Sequence, residues 1–211
     1  MFIGRVKELA ELMNSYKRRG FMLFNLYAPR NAGKTTLLEE FCRNKDTIFF
    51  TASNASGRAN LAAFTKLVLS HYKDTEQKKA LFWSDVFKYI ADRQEDSKVI
   101  LVLDSLEEIA DRDPAFMDML VKDVASSLKD SNIFMILSGR KNALTGRNEV
   151  LLRKYSSSMC LDKFTLTDDV IEQLRIQSGN PKEAHDRAKM LRFREDDVIL
   201  HAACLCWFSG R

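Results

Sequence analysis

Ala28-Pro29-Arg30-Asn31-Ala32-Gly33-Lys34-Thr35-Thr36 is the stretch that decides the fold. It matches G-x-x-x-x-G-K-[ST] at every fixed position but the first, where Ala28 stands. The apolar run 21–27 (FMLFNLY) precedes it and reads as a buried strand, and 34–43 (KTTLLEEFCR) reads as a helix. Strand, tight loop, helix is the context in which this pattern wraps phosphate groups. Backbone N–H groups of the loop and the N-terminus of the helix both favour an anion. Gly33 lets the backbone approach a phosphate where a Cβ would collide, and Lys34 places a compact charge on the β- and γ-phosphates. Thr35 offers a hydroxyl to Mg²⁺. Ala28 ends the strand rather than touching phosphate, so it is acceptable unless it must adopt positive φ.

A loop of this kind needs a carboxylate for the magnesium shell. Residues 99–104 (VILVLD) supply Asp104 at the end of an aliphatic strand, which puts the carboxylate at the carboxyl edge of the sheet. Hydrolysis also needs a group that orients water. Ser105 follows Asp104 directly, and Glu107 and Glu108 come close behind. Two readings of these glutamates stay open: a water-orienting carboxylate, or solvated acids favoured by the start of a helix.

Around this pair the chain alternates between two periods. Residues 5–19 read as a helix, with Val6, Leu9, Leu12, Met13 and Tyr16 on one side and Gly20 in a C-cap position. Strands are expected at 47–52, 98–103 and 133–137, with a short last one at 158–161. Helices are expected at 60–72, 76–92 and 114–128. Strands alternating with helices predict an α/β domain whose sheet is mainly parallel and covered on both faces. Beyond residue 161 the remaining periodicity is helical, from 167 to 208. We therefore divide the chain into a nucleotide-binding domain, 1–161, and an all-helical lid subdomain, 162–211.

Bulk properties agree with this reading. The chain has 211 residues, 45% hydrophobic and 29% charged, enough to bury a core without disulfides or structural metals. Its net charge of +4 is dispersed, which permits contact with nucleic acid without arguing for it. Cys42, Cys160, Cys204 and Cys206 form no CxxC pair and read as free, mostly buried thiols in a reducing compartment. His71, His185 and His201 fall in helical stretches and read as structural or surface residues. The chain starts MFIGRVKEL and carries no apolar run of membrane-spanning length. A cytoplasmic protein without membrane contact is expected.

Several short blocks together resemble the STAND branch of the AAA+-like P-loop ATPases, in particular the archaeal-type ATPase family. Phe2-Ile3-Gly4-Arg5-Val6-Lys7-Glu8-Leu9 is similar to that family's opening F-x-G-R-x-x-E-L block. Residues 23–41 resemble its P-loop region and 83–109 its Walker B region, although the usual Asp-Glu is Asp104-Ser105 here. FMILSGR at 134–140 resembles the sensor strand. LDKFTLTDD at 161–169 with Gly179-Asn180-Pro181 is similar to the lid. The resemblance implies a P-loop NTPase three-layer sandwich with five strands in the order 5-1-4-3-2. It implies that Phe2, Ile3, Gly4 and Arg5 pack near adenine and ribose, and that Ser138 or Arg140 senses the γ-phosphate. It implies that Pro181 closes over the base. For Arg140 the alternative is an exposed loop cation, and for Pro181 a helix-start proline. Family members usually continue past the lid, so a stand-alone short form or a truncated piece is expected.

The leading expectation is an ATP- and Mg²⁺-binding switch with slow ATPase activity, acting on a protein partner that the sequence does not identify. Ser105 motivates a non-hydrolysing ATP-binding scaffold instead. A nucleic-acid-associated ATPase is a third reading, without a recognition helix or an aromatic-basic platform to support it. A small-molecule kinase is a weaker fourth, since no residues mark an acceptor pocket. No N-K-x-D guanine motif is present, and ATP is favoured by the resemblance. Oligomeric state is not legible.

Overall fold

In the computed structural model, residues 4–74, 80–93 and 98–162 are described. The central strands form because their residues are mostly apolar and lie between two helical layers. β3 (Val99–Asp104) and β4 (Ile133–Gly139) are buried at every position, as expected of strands covered on both faces. β1 (Met22–Tyr27) is nearly so. The edge strands β2 (Thr47–Thr51) and β5 (Ser156–Cys160) are only partly covered. All five pair in parallel, in the order β2-β3-β4-β1-β5. This is the order the resemblance implied, read from the other edge.

Alternation along the strands splits the core into two layers. Leu23, Leu101, Leu103, Met135 and Leu137 face one side. There they meet α3 (Gly57–His71), α4 (Trp83–Asp92) and α6 (Phe116–Ser126). The rings of Phe50, Phe64, Trp83, Phe87 and Phe116 pack there at 5.2 to 6.4 Å between centroids. Phe24, Leu26, Ile100, Val102, Phe134 and Ile136 face the other side. They are covered by α1 (Val6–Tyr16) and α2 (Lys34–Cys42). Phe134 lies edge-on to Tyr16, Phe24 and Phe41 at 5.8, 6.2 and 5.9 Å.

Several boundaries differ from expectation. The first helix ends at Tyr16 rather than residue 19, because Lys98 Nζ takes the carbonyls of Tyr16 (3.1 Å) and Arg18. Gly20 then turns the chain at φ +75°. The helix expected from 76 begins at Trp83. Asp85 accepts the N–H groups of Leu81 (3.1 Å) and Phe82 (2.9 Å), and Phe82 is extended at φ −135°. Residues 75–79 lie outside the described part. The helix expected over 114–128 covers Phe116–Ser126 and is followed by a 3-10 turn, Leu128–Asp130. β5 begins two residues earlier than expected. Two short helices were not among the expected elements: α5 (Leu106–Ala110), which only the helix-start reading of Glu107 and Glu108 allowed for, and α7 (Gly146–Leu152).

No helix among the described residues is long and apolar enough to cross a membrane. Cys42 and Cys160 are free. Burial raises the Cys42 thiol to about 11, whereas Cys160 is exposed. His71 pairs with Asp46 at 3.1 Å. The expected lid, 162–211, falls outside the described residues apart from Asp162. So do Pro181, His185, His201, Cys204 and Cys206.

Candidate nucleotide site

The site lies at the carboxyl ends of β1, β3 and β4. Ala28 leaves β1 with its N–H donating to the Gly139 carbonyl at 3.2 Å, and it is 1% exposed. It has no positive φ, so this position does not require glycine. The left-handed conformations fall instead on Asn31 (φ 62°) and Gly33 (φ 85°). Asn tolerates that region better than most residues. Pro29, Arg30, Asn31, Thr35 and Thr36 are exposed, while Ala32 is buried.

Lys34 opens α2 and folds back over the loop. Its Nζ donates to the carbonyls of Ala28 at 2.8 Å and Pro29 at 3.0 Å. Burial pulls its pKa below 10.5; Asp104 and Glu107 oppose the shift, and Arg140 adds to it. One residue on, Thr35 Oγ1 donates to Asp104 Oδ2 at 2.9 Å. Asp104 is 3% exposed at the end of β3. The hydroxyl and carboxylate are hard oxygen donors. Together with phosphate oxygens and water they form the kind of set that Mg²⁺ takes.

Ser138 sits beside Asp104. Leu103 pairs with Leu137 in register, so the next residues come side by side, on the face that α2 covers. Ser138 is fully buried and its hydroxyl has no hydrogen-bond partner among the described residues. A buried orphan hydroxyl is costly and calls for an explanation.

Ser105, at φ 59°, reverses the chain into α5. The two glutamates there are not equivalent. Glu107 accepts from Arg140 Nε at 2.5 Å and from the Arg140 backbone N–H at 3.1 Å. Burial alone would raise its carboxyl. Its own backbone N–H and the Arg140 donors outweigh that, and the group lies below its usual 4.5. Gly139 makes room for it, since a Cβ there would meet Glu107 Oε2 at 3.3 Å. Glu108 instead pairs with Arg112 at 2.8 Å and stands 3.6 Å from Arg140 Nη2. Arg112 also donates to Asn54 Oδ1. Neither glutamate is a freely solvated acid.

The opening block reaches the loop through Arg5. This residue stands at φ 59° before α1. Its guanidinium pairs with Glu8 at 2.7 Å and donates to the carbonyls of Ala32 (3.2 Å) and Asp162 (2.5 Å). Gly4 beside it is buried at φ 80°. Phe2 and Ile3 lie outside the described residues.

A family model described as an ATPase domain predominantly from Archaea matches residues 2–193. The chain belongs to this family. No curated protein matches it at a significant level. Among solved structures, this ATPase domain superposes on Cdc6p from Pyrobaculum aerophilum with a TM-score of 0.57 and 13% identity, covering 90% of this chain and 50% of that one. The ORC1 protein of Aeropyrum pernix, solved in complex with DNA, gives 0.56 and 14%, covering 97% and 66%. Drosophila ORC bound to DNA gives 0.51 and 14%, covering 92% and 53%. At such identities the likeness is one of fold. The chain spans between half and two thirds of the length of those chains.

The structure thus gathers the loop, Asp104, Ser138, Glu107 and Arg140 of the archaeal-type ATPase domain at one sheet edge. Two polar positions near it escaped the sequence reading, as did the positive φ of Asn31. Arg112 ties Glu108 to Asn54. Asn25 donates from within β1 to Asn142 at 2.6 Å. An asparagine inside FMLFNLY was the one available signal for the last of these.

Proposed function

We propose that this ATPase domain binds ATP with Mg²⁺ in the loop at 28–36 and hydrolyses it slowly as a nucleotide-dependent switch. The observation that carries the proposal is the 2.9 Å bond from Thr35 to Asp104, which brings the loop's hydroxyl and the strand's carboxylate to one point. Mg²⁺ bound there by Thr35 and Asp104 would supply neutralisation of the β- and γ-phosphate charge. Lys34 would exchange its two loop carbonyls for phosphate oxygens. Backbone N–H groups from Arg30 to Thr36 would cradle the phosphates, Pro29 having no N–H to give. Arg140 and the Ser138 hydroxyl would meet the γ-phosphate. Arg5 would act on the nucleotide through the Ala32 carbonyl, with Phe2, Ile3 and Gly4 nearby, and Pro181 in the proposed 162–211 lid would cover the base.

Glu107 is the better candidate to orient water. Its charge is felt at Lys34, whereas Glu108 is tied to Arg112. Because Glu107 is held by Arg140, this role requires the pair to loosen when the γ-phosphate draws Arg140 away. That requirement also favours a second reading, a non-hydrolysing ATP scaffold, which Ser105 after Asp104 supports as well.

Contact with nucleic acid has weaker support. Two of the similar structures contain DNA, but the described residues carry no feature that assigns such contact to this chain. The first test is calorimetric titration with ATP in the presence and absence of Mg²⁺, wild type beside Lys34→Ala. Binding that needs Mg²⁺ and Lys34 supports the reading. Wild type without affinity for ATP contradicts it.

A further inference from the structure

Arg140 lies in the loop between β4 and α7, two residues before an asparagine whose partners are all internal. Asn142 Oδ1 accepts the Asn25 side-chain amide at 2.6 Å and the Leu144 backbone N–H at 2.9 Å. The second bond is an Asx turn, which folds the loop on itself. The first runs to the middle of β1, where Asn25 is 1% exposed and also donates to Ser158 Oγ on β5 at 3.3 Å. An amide inside a buried strand costs stability unless it is hydrogen-bonded. An aliphatic residue would pack at position 25 without that demand. The amide instead reaches two other elements and holds one of them, the loop, against the sheet.

The same loop is pinned at its start, where the Arg140 N–H donates to Glu107 Oε2 at 3.1 Å. Leu144, 1% exposed, anchors its far side in the core. Arg140 therefore projects from a segment fixed on both sides, although its own side chain is half-exposed. A cation that meets a transferring phosphate must be held within a fraction of an ångström to be useful.

We infer that Asn142, tethered by Asn25, is a positioning residue for Arg140. The inference rests on the reading of Arg140 as a γ-phosphate contact. Asn142 does not touch nucleotide; it sets where the loop carries the guanidinium. A purely structural Asn142 would alter stability and leave turnover per folded molecule unchanged.

The experiment compares wild type, Asn142→Ala, Asn142→Ser and Asn142→Asp, alone and with Arg140→Gln, in two assays on the full chain. Trypsin nicking after Lys141 reads loop order without reference to ATP. Steady-state turnover of Mg·ATP reads function. Asn142→Asp keeps the oxygen that both donors need and should behave as wild type in both assays. Asn142→Ser keeps the turn to Leu144 but is too short to reach Asn25, and should fold where Asn142→Ala does not. The tether-breaking variants should be nicked roughly tenfold faster. Their kcat should fall about tenfold with KM little changed. In the Arg140→Gln background they should lower kcat no further. Equal nicking of wild type and both tether-breaking variants would overturn the inference whatever the turnover. So would a kcat loss that persists in Arg140→Gln. A wild type that hydrolyses no ATP would instead sink the proposed activity, and Asn142 as a positioning residue with it, while the nicking assay still reports whether Asn142 orders the loop.

Discussion

Thr35 Oγ1 donates to Asp104 Oδ2 at 2.9 Å, and this bond ties the first turn of α2 to the end of β3. The loop and the carboxylate strand are separated in sequence and in the sheet, where β4 lies between β1 and β3. A hydroxyl and a buried carboxylate already in contact need little rearrangement to accept a small divalent cation with its phosphate ligands.

Removing either partner should therefore uncouple ATP binding from Mg²⁺. Wild type is expected to bind ATP on the order of tenfold more tightly with Mg²⁺ than with EDTA. Thr35→Ala and Asp104→Asn should show little difference between the two conditions. Titration calorimetry in both buffers checks this, and a Mg²⁺ effect preserved in both variants would count against the assignment.

Lys34 gives a prediction of opposite sign for stability and for binding. Burial lowers its pKa from 10.5, so the folded chain holds this proton less tightly than the unfolded chain. Stability then rises with pH through the window between the lowered value and 10.5, and at neutral pH the charged side chain carries a penalty. Lys34→Met should unfold at a slightly higher temperature than wild type without nucleotide at pH 7, with the gap narrowing toward pH 10. Added Mg·ATP should raise the midpoint of wild type and leave the variant unmoved. Differential scanning calorimetry across pH reads both effects.

Glu107 behaves the other way. Its carboxyl lies below 4.5 in the folded chain. It therefore contributes stability above 4.5 that disappears as the pH falls through the depressed value. Arg140→Gln removes the guanidinium donor, so the Glu107 pKa should rise and acid unfolding should begin at higher pH. Carboxyl-carbon NMR titration of Glu107 measures the shift directly. An unchanged titration would mean that the 2.5 Å ion pair does not persist in solution.

Ser138 separates function from stability. Its hydroxyl is fully buried without a partner among the described residues. Ser138→Ala should leave stability within about 1 kcal/mol of wild type, or raise it, because an unsatisfied polar group is lost. Turnover of Mg·ATP should nonetheless fall, since the hydroxyl would contact the γ-phosphate. A destabilised variant with unchanged turnover would reverse that interpretation.

Much of this arrangement was legible because its signals are local and physical. The continuous apolar runs ending at Asp104 and Leu137 mark strands covered on both faces. Gly33-Lys34-Thr35 after FMLFNLY marks a phosphate loop wherever it stands between strand and helix. The strand order was not available from periodicity; it came with the family resemblance. Helices as short as α5 and α7 escaped because five or seven residues do not establish a period. The start of α4 was missed because Asp85 caps it through the N–H groups of Phe82 and Leu81, three and four residues behind, a local device that hydrophobic spacing does not reveal. The fate of Glu107 was beyond reach because Arg140 comes from a separate segment, 33 residues away; the Glu108–Arg112 pair stands at i,i+4, a spacing the sequence does offer.

The most direct test of the central claim is phosphate release from Mg·ATP by wild type, Lys34→Ala and Asp104→Asn, with ATP binding measured in parallel. The account predicts slow turnover by wild type and its loss in both variants. Wild type that binds Mg·ATP and releases no phosphate, or turnover that survives both substitutions, would contradict it.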